Sequence, residues 1–162
     1  MADNAVVIEN WTPDHPRWVE LLECVEGQHQ SDWLLSAFDF HLDSHVLVAL
    51  DGKVIVGFLR FAMQQIGPPD DCPPLMLDDV PLIEAKILAF GVPEAYRRRG
   101  IGTQLQQAAV VRARELGCYQ VRSWSLAGYT ANYQLKLKLG FATQPELRAN
   151  GQQGFYFVMP LK

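Results

Sequence analysis

No apolar run in this sequence approaches the ~20 residues that a membrane helix requires. Asp51, Lys53 and Arg60 break its most apolar region, so no membrane span is expected. Cysteine is scarce. Cys24, Cys72 and Cys118 are an odd number without metal-type spacing. This argues against a disulfide framework and for reduced thiols in a cytoplasmic protein, with no metal. Each thiol is expected to be a small buried apolar group. The opening Met1-Ala2-Asp3-Asn4 has no basic segment leading into an apolar run, so no secretory signal is expected. There is no excess of positive charge either: 14 Lys and Arg face 18 Asp and Glu, a formal net charge of −4. A general nucleic-acid binder is usually basic, so no nucleic-acid partner is expected. Internal repeats and linkers are absent, and 162 residues suit one domain, 1–162, with a sizeable core.

What is present is an alternation of short strands and helices. Residues 5–8 read as a strand. Thr12 or Asp14 is a candidate cap, with a proline in the first turn, for a helix carrying Trp18, Leu21, Leu22 and Val25 and ending at Gly27. A second short helix is read over 32–38. Residues 45–50 and 53–63 read as strands joined by Asp51-Gly52, a strong hairpin signal. Residues 67–82, with Asp70, Asp71, Asp78 and Asp79 and several prolines, read as a loop rather than an element. A strand over 82–92 and a helix over 100–116 come next. Then come a strand over 119–126, a helix over 130–139 with Thr130 as candidate cap, and a closing strand pair over 141–147 and 154–161. The reading is one mixed α/β (α+β) domain.

The chain is organised around Tyr96-Arg97-Arg98-Arg99-Gly100-Ile101-Gly102-Thr103-Gln104-Leu105. It follows an apolar strand and opens a helix, so it offers unpaired N–H groups, a positive dipole end and three arginines to an anion. The pattern is not a P-loop, because Gly-x-x-x-x-Gly-Lys-Ser/Thr is missing. It is not a dinucleotide fingerprint, because Leu105 takes the third glycine position and Gln120 stands near the expected acidic residue.

The string Val92-Pro93-Glu94-Ala95-Tyr96-Arg97-Arg98-Arg99-Gly100-Ile101-Gly102 resembles the acetyl-coenzyme A loop of the GNAT superfamily of N-acetyltransferases nearly residue for residue. That family's central motif is Gln/Arg-x-x-Gly-x-Gly/Ala. Leu139-Gly140-Phe141 is similar to the family's late Leu-Gly-Phe, and the element order agrees along essentially the whole chain. The resemblance implies the acyl-CoA N-acyltransferase fold, acetyl-CoA as cosubstrate and a small-molecule or peptide amine as acceptor. It implies that Arg97, Arg98, Arg99, Gly100, Ile101, Gly102 and Thr103 hold the pyrophosphate, through charge-assisted bonds of about 1.5–3 kcal/mol each. It also implies that the preceding strand splays from its neighbour. Backbone groups of Phe90 and Val92 would then pair with the pantetheine arm, and Gly91 would ease a bulge.

Transfer to an amine needs a neutral nucleophile, and neutralising a lysine-like amine at pH 7 costs about 4.6 kcal/mol. Glu84 is the first candidate general base, reading in parity with Lys86, Leu88, Phe90 and Val92. Asp78, Asp79, His41 and His45 are weaker ones. The family's tyrosine, four residues before the glycine of Leu-Gly-Phe, is replaced by Lys136. Tyr133 and Tyr129 are therefore the candidate acids, and Asn132 is a candidate for the pantetheine arm. Asp70, Asp71, Asp78, Asp79 and Glu84 are expected to form an acidic mouth for a cationic amine. The alternative is a non-catalytic coenzyme A-binding or interaction module on the same fold. The apolar closing strand, with Phe155 to Met159, reads as central or as the edge of a homodimer.

Overall fold

A computed structural model describes residues 5–162; Met1–Asn4, the stretch expected to carry no secretory signal, lies outside the described residues. The strands are β1 (Val7–Trp11), β2 (His41–Asp51), β3 (Val54–Gln65), β4 (Met76–Leu77), β5 (Val80–Pro81), β6 (Ile83–Gly91), β7 (Gln120–Leu126), β8 (Ala142–Leu147) and β9 (Gln153–Pro160). The helices are α1 (Trp18–Gly27), α2 (Ser31–Leu35), α3 (Ile101–Glu115) and α4 (Thr130–Lys138). Seven strands form one sheet of spatial order β1-β2-β3-β6-β7-β9-β8, while β4 and β5 form a separate hairpin.

Each face of the sheet carries its own core. Ile101, Leu105, Ala109 and Ala113 recur every four residues on α3, which lays one apolar stripe on the sheet. They pack with Leu59, Phe61, Ala85, Ile87 and Phe157. On the opposite face Leu21 and Val25 of α1 and Leu34 of α2 pack with Trp11, Phe58 and Ala89.

Most of the sequence reading holds, and the departures have local causes. The 67–82 segment contains the β4–β5 hairpin as well as loop. Asp78 and Asp79 take positive φ at its turn (49° and 62°), a conformation that aspartate tolerates. The helix caps differ from expectation. Arg17, not Thr12 or Asp14, precedes α1, and Tyr129, not Thr130, precedes α4; neither makes a side-chain cap bond. His15 Nδ1 instead accepts from the Arg17 N–H at 3.1 Å. Cys118 is buried as expected, but Cys24 is only partly covered and Cys72 is exposed on the 67–82 segment. The closing strand β9 is internal, paired on both sides by β7 and β8, so it offers no free edge.

Two irregularities in β6 shape the site. First, β6 runs parallel to β7, but their pairing covers only Glu84–Gln120, Ala85–Val121 and Lys86–Arg122. Both strands continue for several residues beyond it, so the sheet opens there. Second, Arg60 pairs with Ala89 and Phe61 with Ile87, which leaves Leu88 as a bulged residue. The bulge is therefore at Leu88 and not at Gly91. It also breaks the expected common parity: Phe90 returns to the α3 core while Ala89 faces the α1 core. Gly91 has a different role, since a Cβ there would sit 2.7 Å from the Phe58 ring.

Candidate active site

The opened edge of β6 leads to the N-terminus of α3. Gly100 precedes that helix at φ 77°, where a glycine carries no steric penalty. The Gln104 N–H makes the first helical bond, to the Gly100 carbonyl at 3.0 Å. The N–H groups of Ile101, Gly102 and Thr103 lie ahead of that ladder and are directed out of the helix end. Gly102 also has a packing reason, since a Cβ there would stand 3.2 Å from the Phe90 ring.

The three arginines divide their work. Arg97 Nε donates to the Val92 carbonyl at 2.8 Å and its terminal nitrogen donates to Gln28 Oε1 at 3.3 Å. Arg99 pairs with Asp51 at 2.8 Å. These two side chains tie the loop to its neighbours. Arg98 is exposed and takes positive φ, 62°, at the tightest point of the loop.

On the α4 side, polar groups line the stretch of β7 past the opening. Lys136 is only 2% exposed. Its Nζ donates to Ser123 Oγ at 2.6 Å and stands 5.0 Å from the Phe157 ring centre. Burial pushes its pKa down to about 8. Asn132 Nδ2 donates to Ser125 Oγ at 2.8 Å, while its Oδ1 is buried without a partner. The Tyr133 hydroxyl donates to the Leu126 carbonyl, and its ring packs on Phe155 and Phe157. Tyr129 is 61% exposed at the helix start.

The opposite side of the opening holds a cavity of about 160 Å³, with Lys86, Leu88, Arg122, Tyr156, Arg148, His41, Phe38, Phe40, Gln64 and Asp70 among its lining. The closed end of the β6–β7 pairing, Lys86 beside Arg122, forms its floor. Glu84 lies beneath, fully buried. It accepts from Gln64 and Gln120 at 2.8 Å each and from Arg122 Nε at 3.0 Å. Arg122 also pairs with Asp70 at 2.9 Å. Burial and the Arg122 charge push the Lys86 pKa down to about 7. Burial and Arg60 lower that of His41.

The expected acidic mouth is not formed. Asp70 and Glu84 are both spent on Arg122, and Asp71, Asp78 and Asp79 are exposed and absent from the cavity lining. Sequence reading did not single out Lys86 and Arg122, which the structure brings to the cavity. The signal was a cation in the middle of each of two otherwise half-buried strands.

The sequence model of the acetyltransferase (GNAT) family matches residues 7–141. No curated protein matches the chain. Among solved structures, Arabidopsis thaliana NAA60 in complex with a bisubstrate analogue superposes with a TM-score of 0.71 at 18% identity, covering 98% of this chain and 100% of that one. The same protein in complex with acetyl-CoA gives 0.70 at 17% identity, over 96% and 99%. The yncA protein of Salmonella typhimurium with its cofactor acetyl-CoA gives 0.64 at 15% identity, over 98% and 95%. At these identities the structures speak for the fold, and the family match carries the assignment: the chain belongs to the acetyltransferase (GNAT) family and is an acyltransferase.

Proposed function

We propose that this protein transfers the acetyl group of acetyl-CoA to the primary amine of a small acceptor, by direct attack of the amine on the thioester. One observation carries the reading. The opening between β6 and β7 joins the α3 N-terminus, on one side, to a cavity at Lys86 and Arg122 on the other. Donor and acceptor can therefore meet through the gap in the sheet.

In this reading the N–H groups of residues 98–103 hold the pyrophosphate, and the free edge of Phe90, Gly91 and Val92 pairs with the pantetheine arm. Arg97 already occupies the Val92 carbonyl, which leaves the Val92 N–H for that role. Asn132 Oδ1, a buried acceptor without a donor, is suited to a pantetheine amide. An oxygen that gains charge in the transition state needs a fixed donor; the bulge at Leu88 interrupts the ladder beside the cavity, and a backbone N–H there is assigned that part.

We assign Glu84 to holding Arg122 rather than to taking the proton. Its carboxylate is fully buried, already accepts from Gln64, Gln120 and Arg122, and does not line the cavity where the amine would sit. His41, kept neutral by burial and Arg60, accepts the amine proton. The Tyr133 hydroxyl is engaged as a hydrogen-bond donor to the Leu126 carbonyl, so Lys136, still largely cationic at pH 7 with a pKa of about 8, meets the leaving thiolate. The free cysteines suit a reducing cytoplasm.

The test is thiol release from acetyl-CoA with a panel of primary amines, together with mass spectrometry of the products. Acetylated amine formed by the wild type, and reduced at least tenfold in Lys136→Met, is the expected result. Coenzyme A binding without turnover over the whole panel would instead favour a binding module on the same fold.

A further inference from the structure

The cavity floor has a charge imbalance that the transfer reaction does not itself require. Three cations face it: Lys86, Arg122 and Arg148. Two carboxylates answer them, Asp70 and Glu84, and both bond to Arg122. Among the described residues neither Lys86 nor Arg148 has a carboxylate partner. Lys86 Nζ stands 4.8 Å from the centre of the Tyr156 ring, and the Arg148 guanidinium lies 3.5 Å from the centre of the Trp124 ring. His41, the remaining titratable lining group apart from Tyr156, is kept neutral by burial and Arg60. With Lys86 protonated, one positive charge is therefore left over in a partly desolvated recess on a protein whose formal net charge is −4. Such a charge is costly unless it is met by an anion or shed as a proton, and an anion beside Lys86 favours the protonated form.

Resting on the transferase reading, we propose that the acceptor is an amino-acid-sized amine carrying a carboxylate, and that Lys86 and Arg148 hold that carboxylate. A single surplus charge matches a monoanion better than a phosphate dianion. A recess of about 160 Å³ is of a size for one amino-acid-sized group. Phe38, Phe40 and Leu88 give that molecule an apolar wall. The Tyr156 ring, with Lys86 4.8 Å and Arg122 5.2 Å from its centre, gives it a flat face. The recess then selects its acceptor by charge at one end and by the amine at the other.

The test uses the wild-type protein saturated with coenzyme A, titrated calorimetrically with N-acetyl-L-leucine and, separately, with N-acetyl-L-leucinamide. These product analogues differ only in the carboxylate. The acid is expected to bind at least tenfold more tightly than the amide. Lys86→Met and Arg148→Met should each reduce that ratio toward one, while Lys86→Arg should keep it. Equal binding of acid and amide, or no binding of either while coenzyme A binds normally, would overturn the proposal. Failure to bind coenzyme A would sink the transferase reading itself, and this inference with it.

Discussion

Glu84 and Lys86 lie two residues apart on β6 and meet opposite fates. Glu84 is fully buried but has three partners. Removing it would leave Arg122 with only the half-exposed Asp70. Loss of one partner of a buried pair costs about 3–5 kcal/mol, so Glu84→Ala is expected to lower unfolding free energy by that order in urea. A loss under about 1 kcal/mol would show that the pair is solvated. Lys86 has no such partner. Its pKa falls from 10.5 in the unfolded chain to about 7 in the folded one, so between those values the unfolded state binds more protons and stability rises with pH. The desolvation penalty is full below pH 7 and fades toward 10.5. Lys86→Met should therefore raise the melting temperature most at pH 6 and least near pH 10. An equal gain at both would mean that Lys86 is not desolvated. The sequence put Glu84 and Lys86 on one strand, but their partners come from β3, β7 and the 67–82 segment. Such contacts leave no local signature.

Among the elements, those with a strong local signal were readable. Asp51-Gly52 turns β2 into β3, and α3 follows from its four-residue spacing and the Gly117 stop. The bulge at Leu88 was not readable, because nothing in Ile83–Gly91 distinguishes an extra residue from a regular strand; it arises from register against β3. The loop before α3 was legible as a structure because its features are local: a helix N-terminus, a positive-φ glycine and flanking arginines are consecutive in the chain. The cavity at Lys86 and Arg122 draws on several distant segments and was legible only as scattered charges. Their sign was misjudged because the acids' ion pairing was invisible. At this scale Gly154 is a direct check on the closing pair. A Cβ there would lie 2.4 Å from the Ser125 carbonyl oxygen, a backbone atom that cannot swing aside. Gly154→Ala should destabilise the fold by about 1–3 kcal/mol. Unchanged stability would mean that β7 and β9 are farther apart than described.

At the scale of the whole molecule, a sheet that is continuous except for one gap does the organising. The face bearing α3 and α4 supplies N–H groups, Asn132 and Lys136. The face bearing α1 and α2 supplies the cationic recess. Among the described residues the end of the β6–β7 pairing connects the two, and the proposed function stands or falls with acetyl-CoA lying along that gap. Hydrogen exchange of the backbone amides, with and without acetyl-CoA, is the decisive experiment. Slowed exchange is expected over residues 87–92 and 98–104, with little change in β1, β2 and β8. Protection absent from both segments while acetyl-CoA binds, or confined to the edge strands, would place the donor elsewhere and contradict the proposal.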